Sequence, residues 1–136
     1  MKLIQMLVAG TMLVSSMVFA GTSHVGQYGV VINSEEQTAG GLMATARFSE
    51  VPEEYIGCGV RHTLVDGALE SWGWCTATQD SETSILCIAL DAELIDKMAD
   101  LNHYSYVVFG WDEYGECTHF GFSTQSGQIP DKKEMK

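Results

Sequence analysis

Residues 55–75 read YIGCGVRHTLVDGALESWGWC, and the dipeptide formed by Asp66 and Gly67 predicts a β-hairpin in this stretch. A two-residue type I′ turn needs positive φ at both central positions, and Asp-Gly is among the pairs that meet this requirement best. If residues 65 and 68 close the turn, counting outward along the strands places Cys58 directly opposite Cys75. This is a non-hydrogen-bonded pair, where Cα atoms approach to about 4.5 Å, so the hairpin predicts a Cys58–Cys75 disulfide.

The other two cysteines follow from this pair. The chain has four cysteines, and an even number in a small exported domain is typical of a disulfide framework. We therefore expect a second disulfide between Cys87 and Cys117. No CxxC pair is present and the spacings match no zinc-binding pattern, so the sequence predicts neither a metal site nor a cofactor.

The predicted register also divides the hairpin into two faces, one of which carries both cysteines. The other face carries the four candidate ligand-binding residues Tyr55, Arg61, Trp72 and Trp74. On this face Trp74 lies opposite Gly59, where no side chain competes for space, and Arg61 can lie against Trp72. If a helix covers the cysteine face, the four residues are exposed and form a binding surface. The alternative is that they belong to the core, because tryptophan is more often buried than exposed.

The N-terminal residues 1–20 predict a signal peptide. Lys2 precedes an uncharged apolar run, and Val18 and Ala20 are the small residues that a signal peptidase accepts before Gly21. A retained membrane anchor is the alternative, since the run is nearly long enough to span a bilayer. Cleavage would leave residues 21–136 as a single secreted or periplasmic domain with no membrane contact.

Charge excludes one class of partner. The chain has 7 basic and 18 acidic residues, and loss of Lys2 with the signal peptide leaves 6 against 18, a formal charge of −12. Such an acidic surface repels phosphate backbones, so we expect no nucleic-acid binding.

The pattern of the whole domain predicts an α+β fold. Aromatic and branched residues between turn residues predict strands at 28–33, 43–48, 55–61, 72–78, 84–90, 104–111 and 117–123. One helix is predicted at about 91–101, with Asp91 as N-cap and an apolar face that includes Ile95 and Met98. Residues 21–41 are predicted to be loosely ordered and residues 127–136 to be a polar tail. We expect a single antiparallel sheet of hairpins with the helix packed on one face.

The last hairpin has its own predicted register. If residues 113–116 form the loop and Gly115 has positive φ, Phe109 faces Phe120 and Val107 faces Phe122. A slip of one residue would place Phe109 opposite a histidine and lose this apolar face.

Three short motifs resemble a known group. EYIGC at 54–58, WC at 74–75 and FGWDEYGECT at 109–118 are similar to a loose group of small exported bacterial proteins of unknown function, with the pattern YIGC…WC…C…FxWDxxGxCT. The resemblance spans about half of residues 21–136. It implies no activity, ligand or catalytic residue, and it suggests that Asp112 and Gly115 shape a turn.

These patterns favour a non-enzymatic binding module for a protein, peptide or glycan. None of the four histidines falls in a recognised metal-binding or catalytic motif. One alternative is a small secreted hydrolase that uses His119 or His62 with a carboxylate. The other is a secreted inhibitor or effector that presents a loop on a rigid scaffold.

Overall fold

The computed structural model describes residues 23–131, so the predicted signal peptide lies outside the described part. The strands are β1 (Val31–Asn33), β2 (Thr38–Leu42), β3 (Tyr55–Val65), β4 (Ala68–Thr78), β5 (Ser84–Ala89), β6 (Tyr106–Trp111) and β7 (Cys117–Ser123). The helices are α1 (Met43–Arg47) and α2 (Ala92–Met98), and a single 3-10 turn covers Ser126–Gln128. The domain is α+β with two disulfides, as predicted. Within residues 23–131, no helix is both long and apolar enough to cross a membrane.

The strands form two antiparallel sheets rather than the single sheet that was predicted. Sheet A has the order β1-β2-β6-β7, and sheet B has the order β3-β4-β5. Helix α2 follows β5 and carries the chain away from sheet B, so that β6 pairs with β2 instead of β5. The free edge of β5 meets the turn before β7, where the Ile88 N–H donates to the Gly115 carbonyl at 2.9 Å.

The hairpin of β3 and β4 has the predicted register. Asp66 and Gly67 have φ values of 51° and 83°, and Cys58 lies opposite Cys75. Both strands run to the turn and are longer than predicted, whereas β5 pairs only with residues 73–78 of β4. The far half of the hairpin, including all of residues 61–70, is therefore an exposed two-stranded arm.

The two predicted disulfides are present. Cys58–Cys75 joins the strands of the hairpin with a Cα–Cα distance of 4.0 Å. Cys87–Cys117 joins β5 to β7 and hence sheet B to sheet A. One continuous core lies between the sheets, and its buried members are Val30, Ala39, Ala46, Ile56, Cys75, Ala77, Cys87, Ala89, Ile95, Met98, Val107, Phe109 and Cys117.

Helix α2 covers the cysteine face of sheet B. The Asp91 carboxylate accepts a hydrogen bond from the Leu94 N–H at 2.9 Å, which confirms the predicted N-cap. Ile95 and Met98 are buried, and the helix contacts β3, β4 and β7. The helix ends at Met98 rather than residue 101, because after the cap residue Ala99 the N–H groups of Asp100 and Leu101 bond to carbonyls three residues back.

The last hairpin also has the predicted pairs. Phe109 faces Phe120, Val107 faces Phe122, and Gly115 has a φ of 80°. A bulge after Gly110 then shifts the register. In the turn, the Asp112 carboxylate accepts hydrogen bonds from the N–H groups of residues 114 and 116, so Asp112 closes the loop.

The N-terminal third of the domain differs most from the prediction. Residues 43–48 were predicted as a strand but contain α1, and β2, which begins within the segment 21–41 predicted to be loose, forms a strand between β1 and β6. At the other end, Gly127 and Gln128 are buried, and the Gly127 carbonyl accepts from the His24 N–H. The predicted polar tail therefore begins as a packed turn.

Candidate functional site

The candidate site is the side of sheet B that faces away from α2, which we call the outer face. We take it as eleven positions that strand alternation places on one side: residues 55, 57, 59 and 61 of β3, 72, 74, 76 and 78 of β4, and 84, 86 and 88 of β5. The same side continues along the arm through residues 63, 65, 68 and 70. All four predicted binding residues, Tyr55, Arg61, Trp72 and Trp74, are among the eleven positions. The structure therefore brings these residues together on one face.

The aromatic side chains of the outer face are accessible to solvent. Tyr55 is 55% exposed and Trp72 is 40% exposed, while Trp74 is partly buried. Leu86 on β5 is 51% exposed and extends the apolar surface. Leu86 was not predicted, although counting the register of β4 and β5 from their turn would have placed it beside Thr76.

Two glycines of β3 let the rings lie along the sheet. A Cβ at Gly59 would lie 2.4 Å from Cζ2 of Trp74, so the indole ring occupies the place of the missing side chain. A Cβ at Gly57 would lie 3.3 Å from the Tyr55 hydroxyl oxygen. Glycine in a strand marks a close approach of this kind. Here the Trp74 ring of β4 covers Gly59, and the Tyr55 ring of β3 covers Gly57.

Trp74 also contacts the other two candidate residues. The centroids of the Trp72 and Trp74 rings lie 5.2 Å apart with an interplanar angle of 42°. The Arg61 guanidinium carbon lies 5.4 Å from the Trp74 centroid, within the range of a cation–π contact. Arg61 was predicted to lie against its cross-strand partner Trp72, but the cation–π contact is made with Trp74 on the diagonal.

The outer face differs in charge from the rest of the chain. Its eleven positions contain one charged residue, Arg61, although the chain has 18 acidic residues. Glu70 lies on the same side of the arm, two residues before Trp72. Thr76, Thr78 and Ser84 supply hydroxyl groups beside the rings. The surface can therefore offer stacking, hydrogen bonding and a positive charge to a ligand.

A groove of about 900 Å³ borders the outer face at Tyr55. It runs between α1, the loop before β3 and the loop before β6, and its walls include Arg47, Phe48, Glu54, Tyr55, His103 and Tyr104. The Glu54 carboxylate is engaged in the fold, because it accepts a hydrogen bond from the Val30 N–H. Tyr55 is thus shared between the groove and the outer face.

The histidines of the hydrolase hypothesis lie elsewhere. His62 is on the exposed arm, on the side opposite the outer face, and its Nδ1 lies 2.7 Å from the Ser71 hydroxyl oxygen. The His119 ring lies over Gly110 in sheet A, with Nδ1 3.4 Å from the Thr118 hydroxyl. These contacts of both rings are with hydroxyl groups rather than carboxylates.

The geometry therefore defines one surface on which the predicted binding residues converge, and it separates both histidines from that surface. Comparison of the chain with protein-family models, with curated protein sequences and with solved structures finds no match.

Proposed function

We propose that this protein is an exported, non-enzymatic binding domain that holds a carbohydrate on the outer face of sheet B. The observation that carries the proposal is the exposure of Trp72 beside Trp74 on a face whose one carboxylate, Glu70, lies in the arm. Exposed apolar surface is unfavourable for an isolated protein, and a contiguous patch marks an interaction site. The signal peptide predicted at residues 1–20 supports export. The two disulfides fit an oxidising compartment outside the cytosol.

A carbohydrate fits the chemistry of this face. One side of a pyranose ring presents C–H groups, which are attracted to the negative face of an indole or phenol ring. The hydroxyl groups of the sugar can then exchange hydrogen bonds with Thr76, Thr78 and the Arg61 guanidinium. The cation–π contact orients this guanidinium over the sheet before any ligand arrives, which lowers the entropy lost on binding.

A peptide fits the outer face less well. An extended peptide usually adds to a sheet through the main chain of an edge strand. Trp72 and Trp74 lie on β4, the central strand of sheet B, whose main chain pairs with β3 on one side and with β5 on the other over residues 73–78. The exposed rings therefore present side chains rather than free main-chain groups.

Tryptophan fluorescence tests the proposal. A Trp111→Phe background removes the third tryptophan, which lies in sheet A, so that emission reports only the outer face. Titration with oligosaccharides of glucose, N-acetylglucosamine and galacturonate should change the emission with at least one of them. We expect Trp72→Ala to weaken that binding at least tenfold, which corresponds to about 1.4 kcal/mol.

Tyr114→Ala is the matched control, because Tyr114 is 86% exposed but lies in the turn between β6 and β7. It should bind as the parent does. If a peptide library changes the emission and every saccharide leaves it unchanged, the ligand is a peptide rather than a carbohydrate. Calorimetry measures binding by the Trp72→Ala/Trp74→Ala variant, and binding that survives both substitutions would exclude the outer face as the site.

One observation favours the alternative of a hydrolase. The 2.7 Å contact between His62 Nδ1 and Ser71 Oγ has the geometry of a base beside a hydroxyl nucleophile. Turnover of p-nitrophenyl esters that disappears in Ser71→Ala would support this activity. Equal background rates in the parent and in Ser71→Ala would count against it.

A further inference from the structure

The four cysteine sulfur atoms form one cluster. Cys58, Cys75 and Cys87 lie in a row across β3, β4 and β5, each opposite the next, and β7 supplies Cys117. The Sγ atoms of Cys75, Cys87 and Cys117 lie within 4.8 Å of one another, although Cys75 is bonded to neither of the other two. The two disulfides therefore lie side by side.

We propose that the two disulfides form an exchange-coupled pair that captures a low-molecular-weight thiol at Cys58. This inference does not depend on the ligand of the outer face. The exchange involves three groups. An incoming thiolate attacks Cys58, the attack releases the Cys75 thiolate, and the Cys87–Cys117 disulfide lies beside Cys75.

Burial selects the sulfur that is attacked. Cys58 is partly exposed, whereas Cys75 and Cys87 are fully buried and Cys117 is 4% exposed. Thiol–disulfide exchange requires access of the thiolate to one sulfur along the S–S bond. The incoming thiolate therefore forms a bond to Cys58 Sγ, the Cys58–Cys75 bond breaks, and the electron pair leaves on Cys75 Sγ.

The released Cys75 thiolate lies in an apolar site. A buried charge without a partner is unfavourable. Reaction of Cys75 with the adjacent Cys87–Cys117 disulfide removes the negative charge from the Cys75 sulfur. Attack of Cys75 on Cys87 forms a Cys75–Cys87 bond, breaks the Cys87–Cys117 bond, and leaves the electron pair on Cys117, which then takes a proton. Two disulfides are present before and after, and one thiol is consumed for each thiol formed, so no oxidant or reductant is needed.

The strand register sets what the transfer to Cys87 requires. The hydrogen bond from the Gln79 N–H to the Thr83 carbonyl fixes the alternation of β4 and β5, and counting from it makes Cys75 and Cys87 a hydrogen-bonded pair. Such pairs have Cα atoms about 5.5 Å apart, within the range that a disulfide spans, but their Cβ atoms are farther apart than those of a non-hydrogen-bonded pair. The new bond therefore keeps the register and requires the two strands to move closer at this point.

Peptide mapping of the folded full chain tests the proposal. The protein is incubated with glutathione without oxygen, quenched in acid, alkylated and digested without reduction. We expect glutathione on Cys58, an alkyl group on Cys117 in equal amount, and a cross-linked peptide that joins Cys75 to Cys87. Glutathione on Cys58 with the alkyl group on Cys75 would disprove the transfer.

Two further results would also overturn the proposal. One is glutathione attached first to Cys87 or Cys117. The other is the absence of any adduct at a glutathione concentration that reduces the urea-unfolded chain.

A single substitution gives an independent test that needs no external thiol. Cys117→Ser leaves Cys87 without its partner, next to the intact Cys58–Cys75 disulfide. The purified variant should contain a Cys75–Cys87 cross-link with an alkylatable Cys58 in a measurable fraction of molecules. If all molecules keep Cys58–Cys75 and alkylate only at Cys87, the sulfurs do not exchange.

Discussion

Gly59 determines where the Trp74 ring can lie. In Gly59→Ala the new Cβ would come within 2.4 Å of one indole carbon and 2.6 Å of another, so the ring must move away from the sheet. We expect a loss of unfolding free energy of about 1–3 kcal/mol, as for other overpacking substitutions. Urea unfolding measures this loss, and the tryptophan emission of the folded variant should shift to longer wavelength.

Gly57→Ala is the matched control, because Gly57 lies on the same strand and face two residues earlier. A Cβ there would lie 3.3 Å from the Tyr55 hydroxyl oxygen, which is the far end of a side chain that can turn aside. Its cost should be below about 1 kcal/mol. Equal costs for the two variants would show that Gly59 has no special role in seating Trp74.

At the residue scale the sequence predicted which residues pair across strands better than it predicted which side chains contact each other. Alternation from the Asp-Gly turn was enough to place Trp74 over Gly59, because a strand register fixes every residue that faces another. Arg61 was assigned to Trp72, but a long side chain also reaches diagonal neighbours, and only the three-dimensional packing decides between them. Exposure of the rings could not be predicted, since it depends on which face α2 covers.

At the scale of elements, the Asp91 cap is a testable contribution to α2. Its carboxylate accepts from the Leu94 N–H at 2.9 Å, which satisfies one N–H group that the helix leaves unpaired. We expect Asp91→Ala to lower the unfolding free energy by about 1 kcal/mol. Thermal unfolding followed by circular dichroism measures the change.

Asp96→Ala on the same helix is the control. Asp96 forms an exposed ion pair with Lys97 at 2.9 Å, and such pairs contribute about 0–1 kcal/mol. The control should therefore lose less stability than Asp91→Ala. The reverse order would mean that the exposed ion pair contributes more to the stability of the helix than the cap does.

The elements that the sequence missed depend on tertiary contacts. β2 reads TAGGL, and two glycines are unfavourable in a strand. Glycine is needed here because neighbouring groups leave no room for a side chain. A Cβ at Gly40 would lie 2.9 Å from the Tyr106 hydroxyl oxygen, and a Cβ at Gly41 would lie 3.0 Å from the Val30 Cα. Residues 43–47, MATAR, contain good helix formers, and this intrinsic preference is expressed as α1 where a strand was predicted.

At the scale of the whole molecule, the division into two sheets could not be derived from the local patterns. The hairpins of β3 with β4 and of β6 with β7 were predicted correctly, but nothing within a hairpin determines which other strand its edge will meet. The pairing of β2 with β6 joins residues far apart in the chain, and the hydrophobic pattern of β6 is the same for one sheet or two. The Cys87–Cys117 disulfide was the only predicted feature that joins the two sheets.

The two disulfides should therefore contribute unequally to stability. Loop-closure entropy for sequence separations of 17 and 30 gives about 3.1 kcal/mol for Cys58–Cys75 and about 3.7 kcal/mol for Cys87–Cys117. Cys58–Cys75 lies within a hairpin that a two-residue turn already holds in register, whereas Cys87–Cys117 connects separate sheets. We expect removal of Cys87–Cys117 to cost at least 1 kcal/mol more than removal of Cys58–Cys75.

Double alanine variants are required for this comparison, because a single cysteine left beside the other disulfide would exchange with it under the proposal above. Urea unfolding of Cys58→Ala/Cys75→Ala and of Cys87→Ala/Cys117→Ala gives the two free energies. Hydrogen exchange then locates the loss: β6 and β7 should lose protection in the second variant while β3 and β4 keep it, since each sheet retains its own hairpin. Equal free energies and uniform loss of protection would instead mean that core packing between the sheets, without the cross-link, is sufficient to make them unfold as one unit.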